Sequence, residues 1–260
     1  TAAALLDLRV DWIYPKKGCS YLSCDFDISE LEEALRAENT KTAVYITSPD
    51  YLGRIADIRL LAEVCREFSV PLLVDNAHGA YLNFLSPSLH PIALGAWACC
   101  DSAHKTLPVL TGGAYLHISK CAPASFTEGA RNALSLFAST SPSYLILQSL
   151  DAANAYLAEN CRENLSRTVA RLDELKKRLA LHGYQLVGNE PLKITLATKS
   201  YGYTGVDFAS HLRENGIECE FADNDFVVLM PSTDVGADEL AHTEMVATSL
   251  PQKEPITVAP

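Results

Sequence analysis

At 260 residues, with 48% hydrophobic and 20% charged residues, the chain has the balance of a globular protein, long enough for one large core and a smaller unit beside it. Its formal net charge of −11, with no lysine/arginine cluster, argues against nucleic acid or an anionic membrane surface as partner. No signal-peptide pattern is visible, and no apolar run approaches the ~20 residues that span a bilayer.

In chain order, Ala2–Leu8 reads as the end of a helix and Val10–Tyr14 as a short strand stopped by Pro15. Ser29 followed by Glu32 has the spacing of a capping box and predicts a helix. Ala43–Thr47 (AVYIT) reads as a buried strand, followed by the loop SPDYLG. Asp57 is placed to cap a helix whose apolar positions are Ile58, Leu61, Ala62, Cys65 and Phe68. Val70–Val74 (VPLLV) is wholly apolar, as in strands buried on both faces. Strand, helix and strand with short links form a βαβ unit, so a mostly parallel sheet is expected. Ala96–Cys100 and Ala114–Ile118 add two strands.

The second half has a different rhythm. Ser143–Leu157 and Glu163–Leu181 read as helices, the latter with a packing stripe of Leu165, Val169, Leu172, Leu175 and Leu179. Strands are expected at Tyr184–Val187, Leu192–Ala197, Ile217–Phe221 and Phe226–Met230, with a helix near 204–215. The expected organisation is therefore α/β, a mostly parallel sheet with flanking helices over 1–142. Connecting helices and a small α+β unit follow over 143–250, then a linker over 251–260.

The eight cysteines form no C-x-x-C pair and lie mostly in apolar runs. They are expected to be reduced, small core residues of a cytosolic protein, without a zinc site. There is no G-x-S-x-G elbow, no G-x-G-x-x-G and no P-loop.

What remains is polar residues at strand ends. In VDNAHG, Asp75 stands at the carboxyl end of an apolar strand, where open α/β sheets place ligands, and His78 follows. Taken alone, Asp75 also suits a helix cap or a loop acid. In DSAHKT, Ser102, His104 and Lys105 follow the next strand, with TGG (Thr111–Gly113) close behind. Lysine with hydroxyl and imidazole neighbours suits a phosphate or an aldehyde, although a lone lysine there is usually just exposed. Two such clusters on successive strands of one sheet would face one crevice.

D-x-A-H and S-x-H-K at this separation resemble the cofactor site of fold-type I enzymes that use pyridoxal 5′-phosphate (PLP). The wider string from TSPDYLG through LLVDNAHGAYL to DSAHKTLPVLTGGAYLHI is similar to the Orn/Lys/Arg decarboxylase family, major domain. STSPSYLILQSLDAAN and GYTGVDFASHLRENGIECEFADNDFVVLM resemble later parts of that family, so the likeness covers nearly all of 1–250. It implies PLP held on Lys105, with Asp75 paired to the pyridine nitrogen and His78 beside the ring. It also implies Ser102 and His104 on the phosphate, and Thr140 or Ser141 reaching the phosphate of a neighbouring subunit in a homodimer or higher homo-oligomer. The implied reaction is decarboxylation of arginine, lysine or ornithine to a polyamine or its precursor.

The family's phosphate loop and ring-stacking residue lie upstream of this stretch, so the chain is expected to be a piece of a longer protein that by itself binds PLP weakly. A fold-type I aminotransferase or lyase remains an alternative, as does an inactive fragment with an interaction role. Asp50 and Asp101 are candidates to read a substrate's distal cation, with loop or capping roles the plainer expectation.

Overall fold

The computed structural model describes residues 2–17, 20, 22–38, 40–137, 141–159 and 161–257. A single turn, α1 (Ala2–Leu5), precedes α2 (Ile28–Ala37). Asp27, not Ser29, caps α2: its carboxylate accepts from both the Ser29 N–H and hydroxyl, and an anion is favoured at a helix N-terminus. Next come β1 (Val44–Thr47), α3 (Ile58–Glu67) and β2 (Leu72–Asp75). Asp57 caps α3 as expected, accepting from the Leu60 N–H at 3.0 Å. A 3₁₀ turn (Ala80–Phe84), α4 (Pro91–Leu94), β3 (Ala98–Asp101), α5 (Ala103–Thr106) and β4 (Tyr115–Ile118) complete the first sheet and its connections.

The strand order is β1-β2-β3-β4, parallel except for β4, which runs antiparallel to β3. The three parallel strands therefore deliver their carboxyl ends, at Thr47, Asp75 and Asp101, to the same edge. One face carries Ile46, Leu72, Val74 and Cys99, packed under α2, α3 and α4. The other face is open, with Tyr45, Cys100 and Leu116 exposed. This corrects the expected two-sided burial of the Val70–Val74 strand. Alternate residues point to opposite faces, and among the described residues the helices α2, α3 and α4 cover one of them.

The later elements are α6 (Ala124–Phe137), α7 (Tyr144–Glu159), α8 (Cys161–His182), β5 (Gln185–Val187) and β6 (Ile194–Ala197). They are followed by α9 (Gly205–Glu214), β7 (Phe221–Ala222), β8 (Phe226–Leu229) and α10 (Ala237–Ser249). The second sheet is antiparallel in the order β5-β6-β8-β7. Leu165, Leu172, Leu175 and Leu179 of α8 are buried, as their stripe predicts. They share one core with Tyr81 and Leu82 behind the first sheet and with Ile194, Leu196, Phe208 and Val227 of the second half.

Several expectations need correction. Val10–Tyr14 is irregular: among the described residues no strand pairs with it, and alternation alone makes no ladder. The strand expected over Ile217–Phe221 shrinks to Phe221–Ala222, the part in register with β8. α6 and α10 were not anticipated. Of the described cysteines only Cys65, Cys99 and Cys161 are buried, whereas Cys100 and Cys121 are exposed. Among the described residues no helix is long and apolar enough to cross a membrane.

Candidate active site

Lys105 sits in α5, which opens directly from the end of β3, with Ser102 at its N-cap position. The Ser102 hydroxyl makes no capping hydrogen bond. Lys105 Nζ lies 3.0 Å from His78 Nε2. An ammonium only donates, so Nε2 accepts and the ring proton sits on Nδ1. Nδ1 is buried and has no hydrogen-bond partner among the described residues. Burial, then the charges of Lys193 and Lys105, push the His78 imidazole down to about 3, so the ring stays neutral.

Asp75, half-buried at the end of β2, accepts from the Ala77 N–H at 3.1 Å and from the Tyr45 hydroxyl at 3.3 Å. Tyr45 lies diagonally across the β1/β2 register on the same open face. Burial, followed by the charge of Asp75, raises its phenol to about 12.

Asp75, His78, Ser102 and Lys105 thus belong to two adjacent strand ends, with Lys105 and His78 in contact. His104 is directed differently: its Nδ1–H donates to the Gly113 carbonyl at 2.9 Å, closing the α5 turn onto the TGG loop. That bond leaves only Nε2 for any phosphate. Ser141 is exposed just ahead of α7, and Thr140 lies outside the described residues.

Neither candidate cation reader has that role. Asp50 is 1% exposed and accepts backbone N–H groups of Arg54 (2.9 Å) and Cys24 (3.0 Å), the loop role expected of it. Asp101 is 3% exposed and surrounded by donors: Asn76 Nδ2 at 2.7 Å, His90 Nε2 at 3.0 Å and His117 Nε2 at 3.1 Å. It is neither a cation reader nor a loop acid.

Sequence reasoning also missed Tyr51. Its ring meets His78 edge-on at 5.5 Å and Phe221 at 5.1 Å. The loop that carries it is fastened to the second sheet. Buried Lys193 donates to the Asp50 and Tyr51 carbonyls (3.1 and 3.4 Å), and Thr195 donates to that of Leu52 at 2.8 Å. Asn189 and Glu190 N–H groups both donate to the Gly53 carbonyl. Gly188, at φ +81°, allows this approach, since a Cβ there would fall 2.5 Å from the Gly53 oxygen. Burial lowers Lys193 and raises Glu190, a carboxyl that accepts from the Tyr81 hydroxyl. No sequence pattern marks these contacts, because their partners lie more than a hundred residues apart.

Comparison with known proteins bears on this geometry. Residues 21–190 match the family model for the Orn/Lys/Arg decarboxylase major domain. The chain is 33% identical over 213 residues to the uncharacterized protein YaaO of Bacillus subtilis (strain 168), covering 78% of this chain and 44% of that protein. It is 31% identical over 216 residues to an arginine decarboxylase of Halalkalibacterium halodurans, with the same coverage. The chain therefore spans less than half the length of these curated relatives. Among solved structures, a NifS-like protein from Rickettsia africae ESF-5 superposes with a TM-score of 0.67 at 16% identity, covering 85% of this chain and 65% of that one. Sphingomonas wittichii serine palmitoyltransferase gives 0.67 at 14%, covering 86% and 58%. These likenesses give the fold, that of PLP fold-type I enzymes.

Proposed function

The chain belongs to the Orn/Lys/Arg decarboxylase family, and we propose that Lys105, Asp75 and His78 form the PLP site of a decarboxylase acting on arginine, lysine or ornithine. The observation that carries this reading is Lys105 Nζ held 3.0 Å from a neutral His78, beside the strand end that presents Asp75. Since the chain spans under half of its relatives, the activity is assigned to the intact polypeptide of which these residues form the core of the site.

The residues fit the cofactor chemically. The Nδ1–H of His78, unpartnered among the described residues, needs an acceptor, which the cofactor's ring oxygen would be. Asp75 is acceptor-only and suits a protonated ring nitrogen. The Ser102 hydroxyl, unused as a cap, and His104 Nε2 are donors for the phosphate.

When bound, PLP supplies an electron sink for the pair left on the α-carbon as CO₂ departs. Lys105 would be its attachment point and would afterwards hold or deliver a proton near that carbon. Neutral His78 would orient the Lys105 amine without adding charge. Asp75 would keep the ring nitrogen protonated. Arginine is the first substrate to test, because four of the relatives are named for it. The amine formed would be a polyamine or its precursor. We extend the reading to a homodimer in which Thr140 or Ser141 reaches the neighbouring phosphate. The exposed Tyr144 and Leu145 beside Ser141 are apolar surface that a second copy would cover.

The test is reconstitution of the intact polypeptide with PLP, followed by assay with arginine, lysine and ornithine. The expected result is a visible absorption band absent from Lys105→Ala, with one amine and one CO₂ released per substrate consumed. Release of a keto acid instead would identify an aminotransferase and overturn the proposal.

A further inference from the structure

VDNAHG and CCDSAHK each turn a carboxylate-bearing strand end into a loop, and alternation sends neighbouring side chains to opposite faces. On β2, Asp75 lies on the open face and Asn76 turns to the covered one. On β3, Cys100 is exposed and Asp101 lies on the covered side. There Asn76 Nδ2 donates to Asp101 Oδ1 at 2.7 Å, while His90 and His117 Nε2 converge on Oδ2 at 3.0 and 3.1 Å. Asn76, Asp101 and His90 are 0%, 3% and 4% exposed. A carboxylate buried this deeply persists as an anion only with several donors. Burial by itself raises the Asp101 carboxyl, and the hydrogen bonds from His117, His90 and Asn76 outweigh it, holding the group well below the ordinary carboxylate range.

Gly79 belongs to the same device. A Cβ there would fall 2.0 Å from Asn76 Oδ1, so the glycine of the motif is the space into which Asn76 folds. The backbones are tied as well, since Asn76 N–H donates to the Cys100 carbonyl at 2.9 Å.

Asp101, His90 and His117 also have the spacing of a metal site, their ligand atoms lying within 4.8 Å of one another. The tautomer speaks against a metal. His90 Nδ1 accepts from the Ile92 N–H at 3.4 Å, which puts the ring proton on Nε2, pointing at Asp101. The carboxylate is therefore balanced by N–H donors.

We infer that Asp101 is a positioning residue. Through Asn76, His90 and His117 it locks the ends of β2 and β3 together and so sets the separation between Asp75, one residue before Asn76, and Lys105, on the turn that Asp101 starts. The inference rests on the cofactor reading above for its readout.

The test uses the PLP-loaded intact protein, with Asp101→Asn, which keeps shape and loses charge, and Asn76→Ala, which keeps the charge and loses the bridge. Far-UV circular dichroism establishes that each is folded at the assay temperature. The groups facing Lys105 are His78 in contact and Lys193 at longer range, and both variants leave them intact. A displaced Asp75 gives less support to positive charge at the lysine-bound cofactor. In both variants PLP should bind about tenfold more weakly, and the pH midpoint of the visible band should fall by about half a unit or more. Unchanged affinity and midpoint in the folded variants, with a normal wild-type band, would overturn the inference alone. So would stoichiometric metal bound in the wild type and lost in Asp101→Asn. Absence of a Lys105-dependent band in the wild type would overturn the cofactor reading and this inference with it.

Discussion

At the scale of single residues, His78 responds to acid in a direction fixed by its surroundings. Its folded value of about 3 lies below the ordinary 6.5 because burial penalises the charged ring and the charges of Lys193 and Lys105 then repel it. Between those values the unfolded chain takes up the proton and the folded chain does not. The stability His78 contributes is thus complete above pH 6.5 and is lost as pH falls toward 3. His78→Gln should flatten the loss of stability between pH 6.5 and 4 in urea melts, and an unchanged slope would contradict the assignment. Asp101 acts in a lower window: its contribution is present above the ordinary 3.8 and disappears below it. Asp75→Asn should leave PLP attached while lowering turnover by about 10²-fold or more, as expected when a preorganised charge at the reacting centre is removed. The nearness of Lys105 and His78 beside Asp75 was legible in the sequence, because both motifs follow successive strand ends. The Asp101 hub was not, since its donors come from the residue after β2, the residue before α4, and β4, and the sheet register brings them together.

At the scale of elements, the loop between β1 and α3 links the two halves at the site. It carries Tyr51 against His78, yet Lys193 and Thr195 from around β6 satisfy its carbonyls. Thr195→Val removes one buried donor at nearly constant volume and should cost about 1–3 kcal/mol in chemical denaturation. A cost near zero would mean that the Leu52 carbonyl finds another donor. The sequence marked most elements within a residue or two, because α3 and α8 have strong helical periodicity and β2 and β8 are short apolar runs. It failed where pairing decides the outcome. Val10–Tyr14 has the composition of a strand but no pairing strand among the described residues, and β7 keeps the two residues in register with β8.

At the scale of the whole molecule, one core runs from the 3₁₀ turn behind the first sheet through α8 to the second sheet. The two halves should therefore unfold together. Both tryptophans, Trp12 and Trp97, lie in the first half, so their fluorescence and far-UV circular dichroism should give coincident urea midpoints. Leu172→Ala, in α8, should shift both midpoints by the same amount, with a loss of about 2–5 kcal/mol. A tryptophan midpoint left unmoved would show the halves to be independent. The open face of the first sheet, the side that bears Asp75, could not be foreseen from a strand as apolar as Val70–Val74, because composition does not say which face a neighbour covers.

The proposed attachment of the cofactor to Lys105 can be read out covalently. The intact polypeptide is loaded with PLP, reduced with borohydride, and the pyridoxyl-modified peptide mapped by mass spectrometry. The modification is expected on Lys105, and abolished in Lys105→Ala while the protein stays folded. Modification concentrated on another lysine, such as Lys193 or Lys176, would contradict it.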